Sequence, residues 1–162
     1  MITQEELKRL FHYDEETGDL TRLVKTCRGV KVGDIPRALN TQGYKRVRIN
    51  SKLYYQHRLI FLYMEGDTPS YVDHINGDKS DNRWSNLRPA TPMSNACNIG
   101  KRSNNTSGYK GVYWDKRRQK WCAKINVEFR NKHIGYFTTK EEAYSAYCTA
   151  AYRYHGDFAN VT

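Results

Sequence analysis

A segment in the middle of the chain contains side chains that could hydrolyse a phosphodiester. Asp73 and His74 are adjacent, and Asn86, Asn95 and Asn98 follow within the same 26 residues. A neutral histidine can take a proton from an attacking water, and a divalent cation held by a carboxylate and an amide oxygen can stabilise charge on the departing oxygen. Oxygen ligands completed by water suit Mg²⁺ or Mn²⁺ better than zinc. These residue types therefore indicate metal-assisted hydrolysis.

The residues around this segment predict a small fold that would bring its polar side chains together. Residues 72–75 predict a short strand, residues 76–77 a tight turn, and residues 86–88 a returning strand. Thr91, followed by Pro92 at the first helical position, predicts a short helix. The expected unit is a ββα motif in which the acidic, imidazole and amide groups converge.

The same segment resembles the zinc-free HNH endonucleases of phages and group I introns. The resemblance covers about residues 40–99, with the HNH core at about 53–99. It rests on three matches: Asp73-His74-Ile75-Asn76-Gly77-Asp78, Asn86-Leu87-Arg88 and Asn95. Taken singly, these residues are more typical of strand ends, turns and helix caps. Their occurrence together, in this order, favours a nuclease.

The resemblance implies a role for each matching residue. His74 would be the general base, and Asp73 and Asn95 would be the metal ligands. Asn86, the middle residue of the motif, would orient the loop without touching substrate. Asn98, one turn after Asn95, is a competing candidate for the last position. His57 also lies in a matching stretch, but a histidine that opens a helix can be a capping, packing or catalytic group, so its role stays open.

Charge is distributed unevenly along the chain. There are 27 Lys and Arg residues against 17 Asp and Glu residues, and the net charge is +4 over residues 1–66, −1 over residues 67–99 and +7 over residues 100–162. A basic chain is attracted to polyanions, and a carboxylate-bearing centre between basic segments suits a metal-dependent site whose neighbours bind phosphates. Double-stranded DNA is therefore the expected partner.

Two further features concern the compartment and the metal. No apolar stretch approaches the roughly 18 residues that a membrane span requires, and no signal peptide is recognisable, so we expect a cytoplasmic protein that does not bind membranes. The four cysteines are far apart and form no C-x-x-C pair. We therefore expect free thiols and no structural zinc.

The C-terminal part predicts a second small fold. Residues 111–114, 121–127 and 133–137 read as three short strands, and Thr139 with Glu142 predicts a capping box at the start of a helix. The alternation of the second strand directs Trp121, Ala123, Ile125 and Val127 to the helix, and Cys122, Lys124 and Asn126 to the other face. The expected structure is a three-stranded antiparallel sheet with one packed helix.

Residues 108–160 resemble the apetala/ERF-type DNA-binding domain of plant transcription factors. The matching runs are Gly108–Trp114, Lys120–Ile125, His133–Phe137 and Glu141–Ala143. In that family the open face of the sheet lies in the major groove. The resemblance places on this face Lys110, Tyr113, Lys124, Asn126 and His133, and it places in phosphate-reaching turns Arg117, Arg118 and Arg130. Several of these positions are usually Arg or Trp in the plant proteins, so the plant recognition sequence is not transferred.

Together these features predict an α+β protein with two modules. Residues 1–99 would contain the ββα-metal HNH nuclease, residues 100–107 a polar linker, and residues 108–162 the DNA-binding domain. The predicted function is site-directed, metal-dependent DNA cleavage of the phage or homing type by a monomer. The alternative is a transcription regulator with an inactive HNH fold, and an antibacterial toxin nuclease is a weaker third candidate. The target sequence and the number of strands cut stay open.

Overall fold

The computed structural model describes residues 2–101 and 103–162, so residue 1 and residue 102 of the expected linker lie outside the described residues. The contacts between Cα atoms divide the chain into two compact units, Met1–Ala90 and Thr91–Thr162. Each unit combines short helices with small antiparallel sheets, which confirms the expected α+β class. No helix of the described residues is long and apolar enough to cross a membrane.

The described part of the first unit folds as two helices and three antiparallel hairpins. In chain order the elements are α1 (Gln4–Leu10), β1 (Phe11–Tyr13), β2 (Leu20–Arg22), β3 (Arg46–Ile49), β4 (Lys52–Tyr55), α2 (Gln56–Glu65), β5 (Tyr71–His74) and β6 (Leu87–Ala90). β1 pairs with β2, β3 with β4, and β5 with β6. A short 3₁₀ turn at Trp84–Asn86 precedes β6.

One hydrophobic core holds these elements together. The buried apolar residues of this core are Leu7, Leu10, Phe11, Tyr13, Leu20, Val47, Ile49, Leu59, Ile60, Phe61, Val72 and Leu87. Val72 on β5 and Leu87 on β6 attach the third hairpin to it. Because Val72 immediately precedes Asp73 and His74, the burial of one valine helps to fix the main chain that bears both polar groups.

The described residues of the second unit form a short helix, a three-stranded sheet and a longer helix. The elements are α3 (Pro92–Cys97), β7 (Val112–Asp115), β8 (Lys120–Val127), β9 (Arg130–Phe137) and α4 (Lys140–His155). The sheet order is β7-β8-β9, and α4 begins with the expected capping box of Thr139 and Glu142. Its core combines Ala123 and Ile125 of β8 with small and aromatic residues of α4: Ala143, Tyr147 and Ala151.

The division between the units precedes the expected linker, because α3 belongs to the second unit. The Lys110 ammonium donates to the carbonyl oxygens of Cys97 at 3.1 Å and of Asn160 at 2.7 Å. The Asn160 amide donates to the Asn98 carbonyl oxygen at 2.8 Å. These bonds satisfy carbonyls at the end of α3 that have no partner within the helix. The assignment of separate functions to residues 1–99 and 108–162 stays a prediction.

Gly111, immediately before β7, allows a close approach of main chain to the second core. Its φ is +73°, and an added Cβ would overlap the Tyr147 ring and lie 2.7 Å from the Lys124 carbonyl oxygen. We expect Gly111→Ala to lower the free energy of unfolding by about 2–4 kcal/mol, because strain at positive φ and overpacking both contribute. Gly108→Ala is the matched control, since Gly108 has φ +84° and no atom within 4 Å of an added Cβ. Denaturant titration of both variants gives the difference; equal losses would contradict the steric explanation.

Candidate functional site

The β5–β6 hairpin pairs Asp73 with an arginine. Asp73 lies opposite Arg88 in the antiparallel register. The Arg88 guanidinium donates to Oδ2 of Asp73 from Nε at 2.9 Å and from Nη2 at 2.6 Å, and the Asp73 side chain is only 5% exposed. This ion pair offsets the cost of burying the carboxylate. No role for Arg88 was predicted from the sequence. The predicted hairpin was a signal for this pair, but its register was not known.

His74 is the last residue of β5, and its ring contacts an asparagine eight residues later. Its Nε2 lies 3.0 Å from Oδ1 of Asn82, and both residues are buried. Burial lowers the pKa of His74 below its usual value, while the hydrogen bond with Asn82 and the charge of Asp73 oppose this shift. His74 is therefore neutral at pH 7, as a general base must be. The role of Asn82 was not predicted from the sequence.

Asn86 organises the loop that connects the two strands. Its Oδ1 accepts from the main-chain N–H of Asn76 at 2.9 Å. Its Nδ2 donates to Oδ1 of Asn76 at 3.0 Å and to the carbonyl oxygen of Asp81 at 2.8 Å. The side chain thus ties the start and the middle of the loop to its last residue, immediately before β6. This geometry suits a residue that orients the loop, and its part in any reaction stays a prediction.

His57, the second residue of α2, lies against His74 in an aromatic cluster. The ring centroids of the two histidines are 5.2 Å apart, and the Tyr44 ring lies 5.1 Å from His57 and 5.9 Å from His74. His57 Nδ1 is buried without a hydrogen-bond partner among the described residues. Burial, reinforced by His74 and Arg58, lowers the pKa of His57 to about 3. The His57 ring beside His74 is therefore neutral, and its role stays open.

The two asparagines proposed for the last motif position lie on or next to α3 in the second unit. Asn95 is half-buried, and its main-chain N–H donates to the Thr91 carbonyl oxygen at 3.0 Å. Asn98 is buried, and both its carbonyl oxygen and its side-chain Oδ1 accept from Nδ2 of Asn160. The two strands and the short helix of the expected ββα motif are thus present as elements. Their convergence stays a prediction.

The outer face of the β7-β8-β9 sheet combines aromatic rings with cations. Tyr113 and Tyr136 lie opposite Cys122 on either side, and Lys124 lies opposite His133. The Lys124 ammonium is 5.0 Å from the Tyr113 ring centroid, and the Arg118 guanidinium is 4.7 Å from that of Tyr136. Exposed rings and cations on one open face are a composition suited to nucleic acid. Tyr136 was not predicted from the sequence. Simple alternation along β9 would place His133 and Tyr136 on opposite faces, but the register shift beside Lys124 brings both to the open face.

The other residues proposed to contact DNA occupy different surroundings. Asn126 on β8, Arg117 in the β7–β8 turn and Arg130 at the start of β9 are exposed. Lys110 is half-buried. Its ammonium donates to the carbonyl oxygen of Cys97, at the end of α3, and to that of Asn160, near the C-terminus. Cys122 was expected on the open face, but it is fully buried; Tyr113 and Tyr136 lie opposite it on either side, and His133 Nδ1 is 3.4 Å from its Sγ.

Comparison with known families identifies the segment that contains β5, β6 and α3. Residues 54–97 match the family model described as HNH endonuclease. The chain therefore contains an HNH endonuclease domain. The match includes Asp73, His74, Asn86 and Asn95, and it begins just before α2. No solved structure matches the chain.

Two viral proteins are similar to this chain. Protein 3.8 of Escherichia phage T7 is 40% identical over 58 residues, which are 36% of this chain and 48% of that protein. An uncharacterized HNH endonuclease of Acanthamoeba polyphaga mimivirus is 36% identical over 106 residues, which are 64% of this chain and 54% of that protein. The chain thus spans about half the length of these curated relatives. Together with the HNH domain, they support a nuclease.

HNH nucleases generally depend on a divalent cation, and the residues present fit such an ion. No group of three His, Cys, Asp or Glu side chains suited to a metal occurs among residues 2–101 and 103–162. Mg²⁺, however, is often bound through one or two carboxylates, with waters and substrate phosphates as the other ligands. A carboxylate has about four lone-pair positions, so Asp73 can accept from Arg88 and bind a cation as well. The chemistry of the donors fits Mg²⁺ or Mn²⁺.

The buried neutral His57 predicts a loss of stability in mild acid. Its pKa is about 3 in the folded protein against 6.5 in the unfolded chain, so the unfolded chain takes up the proton first as the pH falls. The contribution of neutral His57 to the free energy of unfolding is fully present above pH 6.5. It is lost progressively toward pH 3, at no more than about 1.4 kcal/mol per pH unit. We expect His57→Phe to flatten this dependence.

Urea titrations at several pH values test this expectation. His12→Phe is the matched control, because His12 lies at an exposed position on β1. If His57→Phe and the unsubstituted protein lose stability equally between pH 6.5 and pH 4, the assignment of the effect to His57 is wrong.

Proposed function

We propose that this protein is a metal-dependent DNA endonuclease in which His74 is the general base. The observation that supports this most directly is the environment of His74. It is a buried, neutral imidazole at the end of a strand, adjacent to Asp73 and within the HNH domain. The ring is held in one position by its contacts with Asn82 and His57. The geometry therefore suits repeated proton transfer at a fixed point.

The proposed reaction is hydrolysis of a DNA phosphodiester. His74 takes a proton from a water molecule, the resulting hydroxide oxygen attacks phosphorus, and the bond from phosphorus to the leaving oxygen breaks. Asp73 would hold the cation, which supplies stabilisation of negative charge on the leaving oxygen. Asn95 would supply a second ligand oxygen. The HNH match over residues 54–97 includes Asn95 and ends before Asn98, which supports Asn95 for this role.

The remaining residues of the first unit would hold this apparatus in place. Arg88 orients the Asp73 carboxylate through two hydrogen bonds to one oxygen. Asn86 fixes the loop between the strands. Tyr44 and His57 pack against the His74 ring and help to hold it in place. Because these groups are fixed before substrate arrives, little reorganisation is required during the reaction.

We further propose that residues 108–162 bind double-stranded DNA through the outer face of the β7-β8-β9 sheet. Such an interface would be ERF-like, as expected from the sequence. The proposal that cleavage is site-directed, of the phage or homing type, rests on this interface. The proposal is supported by the position of Tyr113, Lys124 and His133 on one open face with Arg118 beside it. The net charge of +7 over residues 100–162 favours the same partner.

The assignment of His74 as the general base can be tested by substitution. We expect His74→Ala to reduce the rate of plasmid nicking by ~10² to 10⁴ with DNA affinity unchanged, because the imidazole is assigned to proton transfer and not to phosphate binding. His12→Ala, the same substitution at an exposed histidine, should retain full activity. Asp73→Ala should also raise the Mg²⁺ concentration that gives half-maximal activity. More than about a tenth of the original rate in folded His74→Ala would exclude this base.

Two lysines of the second unit are expected to have different roles. Lys124 is exposed on the sheet face, whereas Lys110 is half-buried against two carbonyl oxygens. We expect Lys124→Met to reduce the slope of log affinity against log salt by about 0.9, the contribution of one phosphate contact, with unchanged stability. Lys110→Met should lower the free energy of unfolding by about 1–3 kcal/mol, because it leaves carbonyls unsatisfied, and should keep the salt slope.

Salt titration of DNA binding and denaturant titration of both variants test this separation. A lower salt slope for Lys110→Met with unchanged stability would assign Lys110 to phosphate instead. An unchanged slope for Lys124→Met would remove the sheet face from the proposed interface.

A further inference from the structure

We propose that Asn82 is a positioning residue that holds His74 in the tautomer with Nε2 protonated, and that the β1–β2 hairpin fixes Asn82 in turn. This inference rests on the proposed function, because it concerns the same histidine. It adds to the motif residues a further residue that positions His74. It also gives the N-terminal hairpin an indirect role, because that hairpin holds Asn82 in place.

The contact between His74 and Asn82 determines which ring nitrogen is protonated. Nε2 of His74 lies 3.0 Å from Oδ1 of Asn82. An amide oxygen can only accept a hydrogen bond, so the ring donates from Nε2. A neutral imidazole has a single N–H, and Nδ1 is therefore the basic nitrogen. In the proposed step Nδ1 gains the proton of the attacking water, and Nε2 keeps its own proton and its bond to Asn82.

The burial of Asn82 is difficult to explain by packing alone. The residue is 0% exposed, and its Nδ2 has no hydrogen-bond partner among the described residues. A buried amide donor without a partner opposes folding, and an apolar side chain of similar size would avoid this cost. The hydrogen bond from His74 is the contact that an apolar side chain could not supply. We therefore assign the residue a function at that histidine.

The β1–β2 hairpin immobilises the main chain of Asn82. The buried Tyr13 hydroxyl donates to the Asn82 carbonyl oxygen at 2.8 Å. The Trp84 N–H donates to the Glu15 carbonyl oxygen at 3.2 Å. Gly18, at φ +73°, lies so close that an added Cβ would overlap the main chain of Asn82 and its successor. Three contacts from residues 13–18 thus hold the segment that presents the amide to His74.

Nitrogen NMR of the full-length protein tests the tautomer directly. Long-range ¹H–¹⁵N correlation spectra of protein labelled with ¹⁵N-histidine report the protonation of each ring nitrogen, and His74→Ala assigns the signals. We expect Nε2 of His74 to be protonated and Nδ1 to be unprotonated in the unsubstituted protein at neutral pH. A protonated Nδ1 would overturn the inference, whatever the activity of the variants.

Two substitutions of Asn82 separate positioning from packing. Asn82→Leu removes the acceptor, and we expect mixed tautomers and a fall in kcat of about 10- to 100-fold with KM unchanged. Asn82→Asp keeps an acceptor oxygen, and we expect it to retain the single tautomer and to recover most of the rate. Ile60→Val, in the same core, controls for lost stability and should change neither readout. If folded Asn82→Leu keeps both the tautomer and kcat, Asn82 is not a positioning residue.

The proposed function and this inference can fail separately. Retained cleavage by His74→Ala, with the expected tautomer in the unsubstituted protein, would refute the base and leave the contact with Asn82 standing. Loss of cleavage by His74→Ala, with Nδ1 protonated in the unsubstituted protein, would leave the base standing and refute the role of Asn82.

Discussion

The register of the β5–β6 hairpin is the constraint on which the candidate active site depends. It places Asp73 opposite Arg88, so that the carboxylate meets a guanidinium. It places His74 opposite Leu87, and His74 is also buried. A buried carboxylate and a buried imidazole are both costly without partners. Arg88 and Asn82 supply those partners, and the loop held by Asn86 joins the strands in this register. A shift of one residue would reverse every side chain and remove both pairs.

The rest of the first unit acts as the support of this hairpin. Val72 and Leu87 attach it to a core that α1, α2 and the two preceding hairpins complete. The HNH match begins at residue 54, yet residues 13–18 contact the segment that presents Asn82 to His74. Residues before the recognised domain thus belong to the same folding unit as β5, which bears Asp73 and His74. The same unit keeps His74 buried next to the ion pair of Asp73 and Arg88.

The second unit presents a different surface. Its helix α4 covers one face of the sheet with small and aromatic side chains, and the opposite face is left with tyrosines, a lysine, a histidine and a nearby arginine. The cations lie over tyrosine rings, so charge and stacking surface occupy the same patch. At the other end of this unit, Lys110 and Asn160 bind the carbonyl oxygens that end α3. One lysine of the predicted interface is therefore bound by main-chain oxygens, while another is exposed.

The sequence by itself determined the elements and the reactive residue types. Capping residues Thr91 and Thr139, turn signals and alternation predicted the elements from β5 to α4, because these are local properties of the chain. The adjacency of Asp73 and His74 indicated the chemistry. Only the tertiary structure revealed the partners of these two residues, Arg88 and Asn82, and the contact of Tyr13 with residue 82, 69 positions away in the sequence. Strand register, burial and the register shift in β9 arise from packing between distant segments, and the linear pattern of residue types does not specify them.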